Sequence, residues 1–411
     1  MHKFISIIFL LFFTTAPNSL RAQESSESHE KSLLTISRNP RLEKIGILLQ
    51  AGYKGELWTN TRGGMELGHT HLHEIDLSVT LDTGKAGLWL NGKFFAQLLS
   101  HQGGELLTQD FVGDCQTVSN IETPHSTRLH QLWYEHGILN DALSLLFGIH
   151  DFNADFAVNE HGSLFINSAF GLSSDVAMAA RPCTFPLAAP GIRSRFSPHP
   201  SWEFLLGIYN GDPGDPLEEK HFPRLDFDNR AGALIAVEST YHYTGASLPG
   251  NFKFGFWKNT GTFKDIIHVD SCGNPVEHKG NHGLYLIAGN KITAASHGNQ
   301  RLGVFLQLGW TPKECINAFD NYLGAGMHYS GLIPHRDKDE IGIAVARASI
   351  HDQVRITAGR NGAETTLEIT YRAVLHTGAA LQPDLQIILN PGADPDLESA
   401  VVAGVRLELV F

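Results

Sequence analysis

The last twelve residues, 400–411 (AVVAGVRLELVF), constrain the fold more than any other stretch. Val405, Leu407, Leu409 and Phe411 alternate with Arg406 and Glu408. A period of two puts the first set on one face of an extended strand and the charged pair on the other. A final strand that is apolar outside, charged inside and ends in Phe fits the closing strand of an outer-membrane barrel. A half-buried edge strand of a soluble sandwich shows the same alternation, so the rest of the chain has to decide.

Residues 1–22 read as a signal peptide: Lys3 gives a positive start, 4–13 an apolar stretch too short to span a bilayer, and Ala22 a cleavage point. Residues 23–45 form a polar lead-in with a short helical hint at 40–45, and 46–411 form the barrel. Removing Lys3 and Arg21 leaves 29 basic against 43 acidic residues, a net charge of −14, which argues against nucleic acid as a partner. Beyond the signal there is no run of 18 apolar residues, so crossing a membrane would require a closed barrel, which satisfies every backbone polar group. The 41 glycines are dispersed, as suits turns and twisted strands.

The expected strands are 46–59, 70–82, 86–97, 128–138, 142–150, 187–196, 201–210, 231–242, 249–258, 282–291, 300–310, 320–331, 339–349, 364–375, 380–389 and 400–411. That is about sixteen, each near the ten-residue length of outer-membrane strands. The connections sort by length. Links from even to odd strands are compact: 82–85, 140–141, 198–200, 245–250 and 376–378. Links from odd to even strands are long: 98–127, 151–186, 211–230 and 259–281. Short periplasmic turns opposite long external loops are the outer-membrane pattern.

Faces agree. Leu143, Leu145, Phe147 and Ile149 share one side, as do Leu302, Val304, Leu306, Leu308 and Trp310. The other side of the later strand carries Arg301 and Gln307, with Phe305 as the exception. Leu367, Ile369 and Tyr371 alternate with Glu368, Thr370 and Arg372. Trp310, Tyr329 and Phe411 fall near strand ends, where aromatic girdles lie. The fold class is therefore all-β, a transmembrane antiparallel outer-membrane β-barrel.

Several stretches, in order, resemble the carbohydrate-selective porin (OprB) family: RLHQLWYE at 128–135, FGIHDFNADF at 147–156, LFINSAFG at 164–171, YNGDPGDP at 209–216, GFW at 255–257, GLYL at 283–286, LQPDLQ at 381–386 and NPG at 390–392. The resemblance implies a sixteen-stranded barrel that passes sugars by diffusion, with no cofactor. Members often carry Trp-Gly-Gly before the first strand, where this chain has Ser37, Arg38, Asn39 and Pro40. Arg193 and Arg195 match a basic pair of the family.

Candidate sugar contacts are Arg193 and Arg195, which share a face after the long 151–186 link and offer forked donors to hydroxyls. Gln131, Trp133 and Glu135 share a face, as do Lys253 and Trp257, and Glu368 and Arg372 face the lumen. Aromatic and ionic walls suit a pyranose, which has apolar faces and a hydroxyl rim. The partners expected are mono- or small oligosaccharides, outer-membrane lipid and lipopolysaccharide, and further copies of the chain in a homotrimer.

Cys115, Cys183, Cys272 and Cys315 all fall in links expected outside the cell. Neighbouring links favour Cys115–Cys183 and Cys272–Cys315 disulfides. No metal site is assigned. His69, His71 and His73 share a face, but one that continues as Ile75, Leu77 and Val79 toward lipid. Asp151, Asn153 and Asp155 mimic the opening of a calcium loop whose turn glycine is replaced by Phe156. No nucleophile elbow or HExxH occurs, so the expectation is a channel without a reaction. An outer-membrane barrel hydrolase and a soluble lectin-like β protein remain the rival readings.

Overall fold

The structure, a computed structural model, describes residues 39–225, 230–244, 249–293 and 300–411. The expected signal peptide and the lead-in through residue 38 lie outside the described residues. The chain enters through a one-turn helix, α1 (Pro40–Lys44). Asn39 caps it, its side-chain oxygen accepting from the Arg41 amide at 3.1 Å, and Pro40 sits where no intrahelical donor is needed.

Sixteen strands follow: β1 (Ile47–Gly64), β2 (Gly68–Asp82), β3 (Gly92–Gly103), β4 (Ser126–Ile138), β5 (Leu143–His150), β6 (Ala189–His199), β7 (Trp202–Asn210), β8 (Ala233–Thr244), β9 (Pro249–Val269), β10 (Pro275–Thr293), β11 (Arg301–Trp310), β12 (Phe319–Ser330), β13 (Glu340–Ile350), β14 (Ala363–His376), β15 (Ala379–Leu389) and β16 (Glu398–Val410). Each pairs antiparallel with the next, and β16 pairs with β1 to close the barrel. The closing register runs from Gly52 opposite Val410 to Gly64 opposite Glu398, and the Phe411 amide donates to Ala51 at 2.8 Å. A closed sheet leaves no edge strand.

The polarity is inverted relative to a soluble barrel. Leu57, Phe147 and Ile192 on the outer face expose 63%, 55% and 60% of their surface, whereas Glu56, Glu368 and Gln386 on the inner face expose 1% or less. An apolar exterior is stable only in lipid.

Two expected boundaries are corrected. Residues 259–281 are not a loop: β9 and β10 run through them and turn only at 270–274. Thr260, Thr262, Ile266, Ile267 and Val269 supply the β-branched residues of a strand that continues past the wall. Residues 86–91, expected in the third strand, belong to a turn in which Leu88, Trp89 and Leu90 are exposed.

Two long links fold into the barrel. Residues 104–125 carry a π-helix, Leu107–Val112, and residues 151–188 carry α2 (Ser174–Ala179). A third helix, α3 (Asp352–Ala358), follows β13. The folded-in links bring the protein's apolar core with them. Phe152, Phe156, Val176 and Cys183 pack on Tyr209, Trp257 and Tyr285 of the wall, and Phe165 and Phe170 pack on Phe305 and Tyr322. Phe305 breaks the polar alternation of β11 because it faces this link rather than water.

Candidate functional site

The inner wall holds the folded-in links by their backbones. Glu368 on β14 accepts from the Ile166 and Asn167 amides at 2.7 and 2.9 Å. Four residues earlier on the same strand, Glu364 accepts from Cys115, Gln116 and Gly392 at 2.8, 2.9 and 2.6 Å. Glu238 on β8 takes the Ala157 amide at 2.8 Å and the Tyr285 hydroxyl at 2.7 Å. Wall amides serve the carbonyls: Gln382 donates to Leu164 at 2.8 Å, Gln386 to Val118 at 2.9 Å, Asn259 to Ala180 at 2.9 Å and Asn281 to Ala179 at 2.8 Å. A link buried inside a barrel must satisfy its backbone groups, and these side chains do so.

The opening of the 151–188 link is held by charge. Arg193 on β6 donates to Asp155 at 2.6 Å and pairs with Glu135 at 2.9 Å; Arg195 also pairs with Asp155 and lies 3.5 Å from Glu203. Burial pushes the Asp155 carboxyl up, but the two guanidiniums outweigh it and hold it well below the ordinary carboxylate range. Asp151 caps the turn by accepting from the Asn153 amide at 2.7 Å and pairs with His130 at 3.1 Å. The calcium-like spacing of Asp151, Asn153 and Asp155 thus serves a cap and two anchors.

Around the rest of the wall, inward-facing charges pair between strands, on adjacent strands or, for Arg372 of β14 and Glu408 of β16, across β15. Lys54 meets Glu74 at 2.7 Å, Glu74 meets His101 at 3.0 Å, and Arg372 meets Glu408 at 2.8 Å. Arg406 pairs with Glu56, which also accepts from Ser119 at 2.7 Å.

The residues singled out from sequence divide by exposure. Trp133, Glu135, Arg195 and Arg372 are half-buried and reach the open lumen, with Trp133 stacked on Phe95 at 4.9 Å between ring centres. Arg193, Glu368, Gln131, Lys253 and Trp257 also face inward but are buried. Gln131 donates to Gln97 at 2.9 Å, Lys253 lies 3.9 Å from Glu238, and Trp257 is covered by the 151–188 link. Sequence reasoning missed Lys54, Glu74 and Glu203, and placed Glu408 on the inner face without naming it as a candidate. Their signal was the inward phase of strands already recognised. It also missed the bulge at His130, an extra residue between the Gln97–Gln131 and Leu98–Leu129 pairs, which turns both His130 and Gln131 inward.

All four cysteines are free thiols, and their positions explain why the expected pairs are absent. Cys115 is carried across the barrel to β14, where its amide meets Glu364; Cys183 packs at the opposite wall with Phe152 and Tyr209. Cys315 is level with Ile266, whose amide donates to its carbonyl at 2.9 Å. Cys272 is exposed in the turn beyond the end of β9, six residues further on, with three strand residues, about 10 Å at strand rise, before the turn begins. His69 and His71 point outward from β2, and His73 meets the Tyr53 hydroxyl at 2.6 Å.

Comparison with known proteins agrees with this architecture. The profile of the carbohydrate-selective porin, OprB family matches residues 67–411. Porin B of Pseudomonas aeruginosa is 28% identical over 412 aligned residues, covering 91% of this chain and 89% of that protein. The high-pH structure of Pseudomonas putida OprB superposes with a TM-score of 0.79 at 22% identity, covering 90% of this chain and 96% of that one. The low-pH structure of the same protein gives a TM-score of 0.59 at 19% identity, covering 90% and 95%. The inverted barrel, its narrowed polar lumen and the match over most of its length place this chain in the carbohydrate-selective porin (OprB) family, as an outer-membrane channel for sugars.

Proposed function

We propose that the sugar crosses beside Trp133, Glu135, Arg195 and Arg372, and that Arg193, Glu368, Gln131, Lys253 and Trp257 act one step back by holding the folded-in links in place. The observation that carries this division is exposure: the first set reaches the lumen and the second is buried against protein. Trp133 stacked on Phe95 offers an apolar face to a pyranose ring, and the neighbouring Glu135 and Arg195 offer acceptors and forked donors to its hydroxyls. Each charge is already paired across the wall, so a sugar replaces part of its hydration without meeting an isolated charge. Contacts of this kind are weak enough to release it.

Transport is passive and no bond is made or broken. Mono- and small oligosaccharides are the substrates. The outward apolar belt contacts outer-membrane lipid, and the outer rim contacts lipopolysaccharide. The proposal extends to a homotrimer joined at β5, β6 and β7, short neighbouring strands with Phe147, Ile192 and Phe204 exposed on their outer face. Light scattering in detergent that gives the mass of one barrel would remove the trimer.

Single-channel conductance with sugar titration tests the lumen assignment. Trp133→Ala and Arg195→Ala should each weaken sugar block while the open channel remains. Undiminished block in both would exclude this wall from the sugar's path.

A further inference from the structure

The extended β9–β10 hairpin carries a cluster with no role in the sugar path. Asp265 on β9, His278 on β10 and Cys315 in the link before β12 bring one carboxylate oxygen, one ring nitrogen and one thiol sulfur within 4.8 Å of one another. His268 adds a second imidazole, its Nδ1 3.1 Å from Asp265 Oδ2. His278 Nε2 is 2.8 Å from the same oxygen.

The carboxylate is held for this position. Its other oxygen accepts from the Ile267 and His268 amides at 2.7 and 2.8 Å, which leaves Oδ2 aimed at the imidazoles. The Ile266 amide fixes the Cys315 carbonyl beside it. Asp265 is buried and His278 half-buried, so the donors are set in the protein and still reachable from outside.

We propose that Asp265, His278 and Cys315 bind a Zn2+ ion. Thiolate, imidazole and carboxylate are the donor types of tetrahedral zinc sites, and three protein donors leave the fourth position to solvent. On binding, the Cys315 sulfur gives its proton to solvent as the metal–sulfur bond forms. The backbone amides on Asp265 Oδ1 orient the ligand as outer-shell partners do in metal sites. The donors come from the hairpin and from the β11–β12 link, which the Ile266 amide already joins through the Cys315 carbonyl, so the ion adds a side-chain tie to that backbone contact.

The test uses untagged barrel in detergent, its folding checked by heat-dependent mobility on SDS gels, titrated with Co2+ and then Zn2+. The expected result is one Co2+ per chain with a thiolate-to-metal charge-transfer band that Zn2+ abolishes. Cys315→Ser should remove the band, and His278→Ala should weaken binding by at least the roughly 10–100-fold that loss of an outer-shell partner costs. Cys272→Ser and His71→Ala should leave both unchanged. The proposal is overturned if the folded wild-type barrel gives no band, if the band survives Cys315→Ser, or if it disappears in Cys272→Ser or His71→Ala. A Cys272–Cys315 linked peptide from membrane-extracted protein would overturn it as well.

Discussion

Trp58 lies directly across the β1–β16 seam from Gly404, with its ring over the glycine: a Cβ at residue 404 would sit 2.1 Å from the ring. The same arrangement recurs on the inner wall. Tyr285 covers Gly255, Trp257 covers Gly283 and Tyr209 covers Gly191, each pair in register on neighbouring strands. A glycine in a strand costs backbone entropy, and an aromatic ring across it recovers packing. At the seam this pair joins the first strand to the last.

Gly404→Ala should therefore destabilise the barrel by about 1–3 kcal/mol, the cost of forcing a methyl into packed space. Heat-modifiable mobility on SDS gels reads it: the folded band should be lost at a lower temperature than in the wild type. An unchanged transition would mean that the Trp58 ring swings away freely.

Glu368→Ala should loosen the 151–188 link. It removes the acceptor of two buried amides, Ile166 and Asn167, at about 1–3 kcal/mol for each donor left unsatisfied. Single-channel conductance should rise and become noisier, and amide exchange should quicken at both residues. Glu368→Gln retains one acceptor oxygen and should show a smaller change. Wild-type conductance in Glu368→Ala would show that the link is held without this anchor.

The seat of α2 should depend on pH. Asp175 is buried beside Gly309 of β11, and burial pushes its carboxyl up to about 6. A carboxyl whose folded pKa is raised contributes stability that is fully present below its unfolded value, about 3.9, and lost as pH rises through the folded value. Protection of the α2 amides should fall between about pH 4 and just above pH 6. Asp175→Asn, which cannot ionise, should flatten the profile. A wild-type profile that is already flat would rule out Asp175 as the cause.

Cys272 and Cys183 report the orientation of the barrel. Cys272 is exposed at the tip of the β9–β10 hairpin and Cys183, within the 151–188 link, is buried against the wall. A membrane-impermeant maleimide added to intact cells should label Cys272 and leave Cys183 unlabelled until denaturation. Labelling of Cys272 only after the outer membrane is broken would invert the assignment of the two barrel ends.

The architecture was legible in the sequence because a barrel wall is written locally. Alternation such as Val405, Arg406, Leu407, Glu408 fixes two faces one strand at a time, and compact turns such as 377–378 fix the order of neighbours. The charged face of each strand also told which side met water. What that face would bind was not written locally. Glu368 and Arg372 stand four apart on one strand face, yet one holds link backbone and the other reaches the lumen. The difference comes from where residues 151–188 fold, which is set by contacts with β6, β8, β11, β12 and β14 at once. The cysteines follow the same rule. Adjacency in chain order favours pairing of neighbouring links, but 104–125 crosses the barrel to Glu364, while Cys272 lies in the turn beyond the end of β9 and Cys315 stays beside Ile266. Periodicity determined the wall; only the tertiary structure decided which wall residues remain open to a sugar, because long-range packing of the folded-in links covers the others.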